Sequence, residues 1–219
     1  MRGNPLDFIA YIQGHQGQFT TLLSQHIQLT LVSVVLGTVL ALPLAVLANR
    51  VEVLARPMAW LAGIGQTIPS LAILGLALPL LGIGFLPSLV ALTVRAILPI
   101  FLNTYVGIRS ADRATIDAAR GMGMSANQRL LLVELPLATP VIFAGVQTAT
   151  VQNVGVATLA AFIGGGGLGD LILQGLAMVD PAVLLAGAVP VAALAMAADI
   201  ALDRARRLVV PVGLRVGAR

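Results

Sequence analysis

The chain has 219 residues, of which 58% are hydrophobic and only 10% charged, with a mean hydropathy of +0.97. Soluble domains average about 25% charged residues, so the composition excludes a soluble globular protein and indicates one membrane bundle, without room for a separate soluble domain. The net charge of +4 rests on 13 basic residues, all of them arginine, and the lack of cysteine excludes disulfides and thiolate metal sites.

Residues 1–26 contain Phe8, Ile9, Ile12, Phe19, Leu22 and Leu23 but no long apolar core after a basic start. That pattern predicts an N-terminal interfacial segment and not a cleaved signal peptide. A spanning helix needs about 20 apolar residues. Residues 27–48 supply the first span, ending at Asn49-Arg50. The charge-free run 57–94 is too long for one crossing, and "GIGFLPS" (82–88) divides it into spans near 58–81 and 86–108. A fourth span runs from Pro140 to Ile163 and a fifth from Ala182 to Arg204. Pro43, Pro69, Pro79, Pro99 and Pro190 fall inside these spans, where neighbouring helices can satisfy the backbone groups that proline frees. The predicted fold is an all-α polytopic membrane bundle of about five helices over 27–208, followed by a tail, 209–219.

Five spans place the termini on opposite sides, and arginine decides which. Arg50, Arg56, Arg109, Arg113, Arg120, Arg129, Arg204, Arg206, Arg207, Arg215 and Arg219 fall on one side. The other side holds Arg2 with Asp7, Asp170 and Asp180. The basic excess is therefore a topological signal, not one for nucleic acid. It predicts a multi-pass cell-membrane protein with a cytoplasmic C-terminus and an extracytoplasmic N-terminus.

Seven charged residues lie between Arg109 and Glu134, a polar island in an otherwise apolar chain. Its sequence reads as helix–turn–helix on the cytoplasmic side. Ser110 is a candidate cap for a helix over 111–120, with small Ala118 and Ala119 adjacent. "GMGM" (121–124) breaks that helix, because glycine reaches positive φ at little cost. Ser125 and Gln128 form an S-x-x-Q capping box for a second helix, which Pro136 must end or kink.

Asp117-Ala118-Ala119, Gly123 four residues on, and Val133-Glu134-Leu135-Pro136 share a recognisable pattern. It resembles the "EAA" loop of the permease subunits of bacterial ABC importers: Glu-Ala-Ala, three residues, Gly, nine residues, Ile-x-Leu-Pro. Asp for Glu and Val for Ile are conservative departures. The resemblance implies that loop 109–136 couples to an ATPase through Asp117, Ala118, Ala119, Gly121, Gly123, Leu135 and Pro136. It further implies two ABC ATPase subunits that bind the ATP, so that this chain carries no cofactor. A second, identical or paralogous permease subunit and an extracytoplasmic substrate-binding protein complete the assembly, set in membrane lipid.

"GQTIPSLAILGLALPLLGIG" (65–84), "LPIFLNTYVGI" (98–108) and "IGGGGLGDLILQGL" (163–176) are similar to the osmoprotectant permeases, which carry glycine betaine, choline and carnitine. The glycine-rich stretch is shared with methionine-type permeases, so a methionine or other amino-acid importer is the alternative. Relatives tend to have arginine just before Asn-Thr. Here Leu102 stands there, and an arginine appears seven residues earlier, at Arg95.

Several polar residues lie inside the predicted spans. Gln66, Thr67 and Ser70 flank Pro69; Asn103 and Thr104 lie in span three; Gln147, Thr148, Gln152 and Asn153 lie in span four. As a set they are candidates to line a translocation pathway; singly, each could equally be an interhelical tie worth about 0.6 kcal/mol. Arg95 is the one ionisable residue deep in a span, at a cost of at least ~2.5 kcal/mol. It would repel a quaternary ammonium ion but could meet a betaine's carboxylate; a structural pair or snorkelling is the competing reading. Asp199 and Asp203 are expected to be neutralised by Arg204, Arg206 and Arg207. Gly164, Gly165, Gly166, Gly167 and Asp170 suggest a flexible outer turn or re-entrant segment leading to a gate. They do not suggest a phosphate loop, since no Gly-Lys-Ser/Thr comes after them.

No catalytic or metal-ligating set is apparent. His15 and His26 precede the predicted spans, no acidic pair lies mid-membrane, and "DAARG" lacks the glycine and later acids of a CDP-alcohol phosphotransferase. The expectation is a permease without catalysis of its own.

Overall fold

Small side chains at helical spacing on one face of a long apolar helix let a neighbour approach closely, and this rule organises the bundle. The computed structural model describes residues 7–210; Arg2, Arg215 and Arg219, with the remaining ends of the N-terminal segment and tail, lie outside them. Helix α1 (Asp7–Gly14) leads into α2 (Gln16–Arg50), whose 35 residues extend roughly 50 Å at 1.5 Å per residue. The helix that carries the first span thus begins at Gln16, ahead of Ile27, and His26 lies inside it, fully buried. Phe8, Tyr11, Ile12 and Phe19 pack on the core formed by Leu168, Leu171 and Val183, so the N-terminal segment is joined to the bundle.

The buried face of α2 carries Leu29, Ser33, Gly37, Ala41, Ala45 and Ala48. It lies along the helix Glu52–Gly65 (α3) and, over most of its length, along the helix Phe85–Arg109 (α5), where a Cβ on Gly37 would sit 2.7 Å from that of Ala96. The opposite face shows Leu31, Val35 and Val39 at 60%, 51% and 62% exposure, an apolar surface suited to lipid. Helix α8 (Leu135–Val156) closes on the other side of α5: a Cβ on Gly145 would lie 2.7 Å from Asn103 Cβ and 3.2 Å from the Pro99 carbonyl. Helix α9 (Gly169–Met178) and α10 (Pro181–Val209) complete the bundle, with Gly175 seated against the Leu184 backbone.

The predicted second span is broken. Helices α3 (Glu52–Gly65) and α4 (Ser70–Leu81) meet at 102° across residues 66–69, with Pro69 capping α4. Among the described residues four helices are long and apolar enough to cross a membrane, and the count is five if the bent pair forms one broken span. Gly84 N–H donates to the Ile163 carbonyl (2.8 Å), fixing the start of α5 beside the end of the fourth span. At the other end Arg50, Arg129 and Glu134 line one cleft, so the arginine-rich segments there share one end of the bundle.

Candidate functional site

The polar island at the arginine-rich end is built from local rules. Ser110 is not the cap of its first helix: its hydroxyl donates back to the Gly107 carbonyl (2.9 Å) and finishes α5. Asp112 caps α6 (Arg113–Gly121), accepting from Ala114 N (3.4 Å), Thr115 N (3.1 Å) and Thr115 Oγ1 (2.8 Å). The Thr115 hydroxyl and N–H hold the Asp112 carboxyl below the usual carboxylate range. Both residues offer a hydroxyl or carboxylate at a helix start, but only Asp112 stands two and three residues ahead of free amides.

Helix α6 ends in a Schellman turn, Met124 N–H bonding to Ala119 O (3.2 Å) and Gly123 N–H to Arg120 O (3.0 Å), with Gly123 at φ 81°. Ser125 and Gln128 close the expected capping box at 3.3 and 2.8 Å around α7 (Ala126–Arg129). Pro136 does not stop the second helix. A π turn, Leu130–Glu134, carries the chain from α7 straight into α8, with Leu135 N–H reaching back five residues to Leu130 O. The wider turn re-forms the ladder just ahead of the proline, whose missing N–H then falls in the first turn of α8.

Of the coupling residues read from the sequence, Ala119 is buried against the loop, while Asp117, Ala118, Gly121, Gly123 and Pro136 are exposed and Leu135 is half-buried. Asp117 pairs loosely with Arg120 (3.6 Å), and Met122 stands 72% exposed beside them. The face is small-residue, of mixed charge, and open. Asn49 donates to Ala45 O (2.9 Å) and Tyr105 O (3.4 Å), and Arg109 lies on the Tyr105 ring and bonds its hydroxyl, tying α2 and α5 where the island begins.

The intramembrane polar residues make different kinds of contact. Gln66, Thr67, Pro69 and Ser70 make the break between α3 and α4, where Thr67 Oγ1 donates to Ile64 O (2.8 Å). Asn153, fully buried, donates to Ser33 Oγ and to Leu92 O, both at 3.0 Å, and so ties α8 to α2 and α5. Asn103 donates to Pro99 O within its own helix (2.8 Å), while Thr104 Oγ1 and Gln152 Oε1 are buried without a hydrogen-bond partner. Gln147 donates to Asp199 (2.6 Å) in a cleft of about 470 Å³ between α8 and α10. The expectation for Asp199 is corrected here: Asp203 takes both Arg206 (2.9 Å) and Arg207 (2.7 Å), and among the described residues no arginine pairs with Asp199. The reach of i+3 and i+4 side chains favours Asp203.

The glycine-rich stretch is tightly packed, not loose. Gly164, Gly166 and Gly167 have φ of 70°, 75° and 90°, and a Cβ on Gly165 would collide with Ser88 Oγ. Gly167 N–H donates to Gln25 Oε1 (3.1 Å), and beside it His26 bonds the Val154 carbonyl (3.0 Å). Asp170, half-buried, opens α9, which at ten residues is too short to span. Gln25 and His26 were missed by sequence reasoning because lone polar residues near a span's start carry no periodic signal.

Comparison with known proteins agrees with this architecture. Residues 25–211 match the family model described as binding-protein-dependent transport system inner membrane component. The chain is 43% identical over 207 residues to the choline transport system permease protein OpuBB of Bacillus subtilis (strain 168), covering 94% of this chain and 95% of that one. It is 40% identical over 215 residues to the osmoprotectant import permease protein OsmW of Salmonella typhimurium, covering 96% and 100%. Among solved structures, an inward-facing MetNI methionine ABC transporter shares the fold with a TM-score of 0.83 at 24% identity, over 90% of this chain and 99% of that one. With a specified polar island, a bundle of four to five candidate spans and a family match along most of its length, this chain belongs to the inner-membrane permease family of binding-protein-dependent transport systems.

Proposed function

We propose that this chain is the permease of an ATP-driven importer for quaternary ammonium osmoprotectants such as glycine betaine, choline and carnitine. Family membership brings an ATPase and a substrate-binding partner. The finer reading is two ATPases, a second permease subunit and an extracytoplasmic binding protein, with the island and C-terminus in the cytoplasm and the N-terminus outside. The observation that carries the coupling role is the island itself. A capped helix, a glycine turn and a second capped helix running into a span form a rigid, exposed knob at the arginine-rich end. Relatives above 40% identity named for choline or glycine betaine support the substrate class, against 24–26% for the methionine transporter structures.

Proteoliposomes holding the permease with its ATPase and binding protein test the reading directly. ATP-dependent uptake of labelled glycine betaine or choline is expected, and uptake of methionine instead would select the amino-acid alternative. Gly123→Val should leave insertion and assembly intact but abolish uptake, because a β-branched side chain resists positive φ. Transport at the parental rate by that variant would remove the coupling role from this turn.

A further inference from the structure

Arg95 lies ten residues into α5, about 15 Å along its axis from Phe85 and deep within the span. Its Nε and Nη1 are buried without a hydrogen-bond partner, and among the described residues no carboxylate pairs with it. The acids on α10 are engaged elsewhere, Asp199 by Gln147 and Asp203 by two arginines. Arg95 as a whole is half-buried, and a charge this deep without a counter-ion is unfavourable; intramembrane ionisable residues characteristically mark substrate pathways. Its partner therefore lies outside the described residues.

The surroundings indicate its sign and place. Leu98, one turn further along the same face of α5, packs against Gly65 immediately before the break in the second span. Arg95 thus lies on α5 between Leu98, which faces the broken helix, and Pro99, which faces α8, and α4 restarts after the break at Ser70 with the positive end of its dipole. An anion is favoured on both counts, and a planar guanidinium matches a carboxylate in shape as well as charge.

We propose that Arg95 pairs with the carboxylate of zwitterionic substrates during passage, so that the pathway favours glycine betaine or carnitine over choline, which lacks a carboxylate. This inference rests on the osmoprotectant reading. The experiment compares uptake of labelled glycine betaine and choline by the complete transporter, with saturating binding protein, for the unaltered chain, Arg95→Gln and Arg95→Lys. Arg95→Gln is expected to lower glycine betaine uptake at least ten-fold while choline uptake holds or rises, and Arg95→Lys to fall between. Equal losses for both substrates in assembled complexes would make Arg95 structural, its partner a lipid or a second subunit, and would overturn the proposal. Should Arg95→Gln not assemble, an unchanged betaine-to-choline ratio in Arg95→Lys overturns it as well. An unaltered transporter that carries choline but not glycine betaine refutes the inference and leaves the osmoprotectant reading standing; one that carries neither refutes both.

Discussion

At Asn153 a single amide nitrogen bonds to Ser33 Oγ and to Leu92 O, so one side chain fixes the mutual rotation of α2, α5 and α8. Asn153→Leu is expected to cost about 1 kcal/mol, within the range for interhelical hydrogen bonds in membranes. Unfolding in mixed micelles would measure it, and no change would mean that packing alone holds the three helices. The Asp112 cap makes a separate claim about pH. Its carboxyl sits below the usual range in the folded state, so its contribution to α6 is full above the ordinary carboxylate value and is lost as pH falls through the lowered one. Asp112→Asn keeps an acceptor and should retain α6. Asp112→Ala should fray it, as faster backbone hydrogen exchange over 113–121 would report.

At the level of elements, the glycine-rich stretch shows how much was legible and what was not. The spans were readable because hydrophobic length is a strong local signal, and the island because capping and turn chemistry are local too. What escaped was everything set by distant contacts. The 102° break at 66–69 falls at Pro69, whereas Pro43, Pro99 and Pro190 lie inside continuous helices, and the partner of Asp199 lies 52 residues away on another helix. Glycines 164–167 and Gly169 suggested looseness, yet they are small because backbone and side chains crowd them. A Cβ on Gly169 would overlap the Thr158 carbonyl oxygen, whereas one on Gly155 meets nothing within 4 Å. Gly169→Ala is therefore expected to destabilise by about 1–3 kcal/mol, and Gly155→Ala to be neutral or stabilising by up to about 1 kcal/mol. Thermal unfolding of the two purified variants checks the contrast; equal melting temperatures would contradict the tight packing.

For the whole molecule, the partition of arginine predicts an orientation that can be tested without a functional assay. The chain has no cysteine, so single thiols report cleanly. Val179, 86% exposed between α9 and α10, and Met122, 72% exposed on the island, lie at opposite ends of the bundle. An impermeant maleimide applied to intact cells should label Val179→Cys at once and Met122→Cys only after the membrane is opened. The reverse pattern would invert the topology and place the island where no ATPase could reach it.

The π turn between α7 and α8 also governs rotational phase. Each residue of an α-helix advances the chain by about 100° around the axis, and here no flexible joint separates the exposed knob from the span. Any torque applied at Ser125 or Gln128 is transmitted along one shaft to Asn153. The five residues Leu130–Glu134 set the angle at which that shaft leaves the knob. Shortening the turn by a single residue would leave α8 seated by Asn153 and instead rotate the exposed knob by about 100° around the shaft, turning its docking face aside.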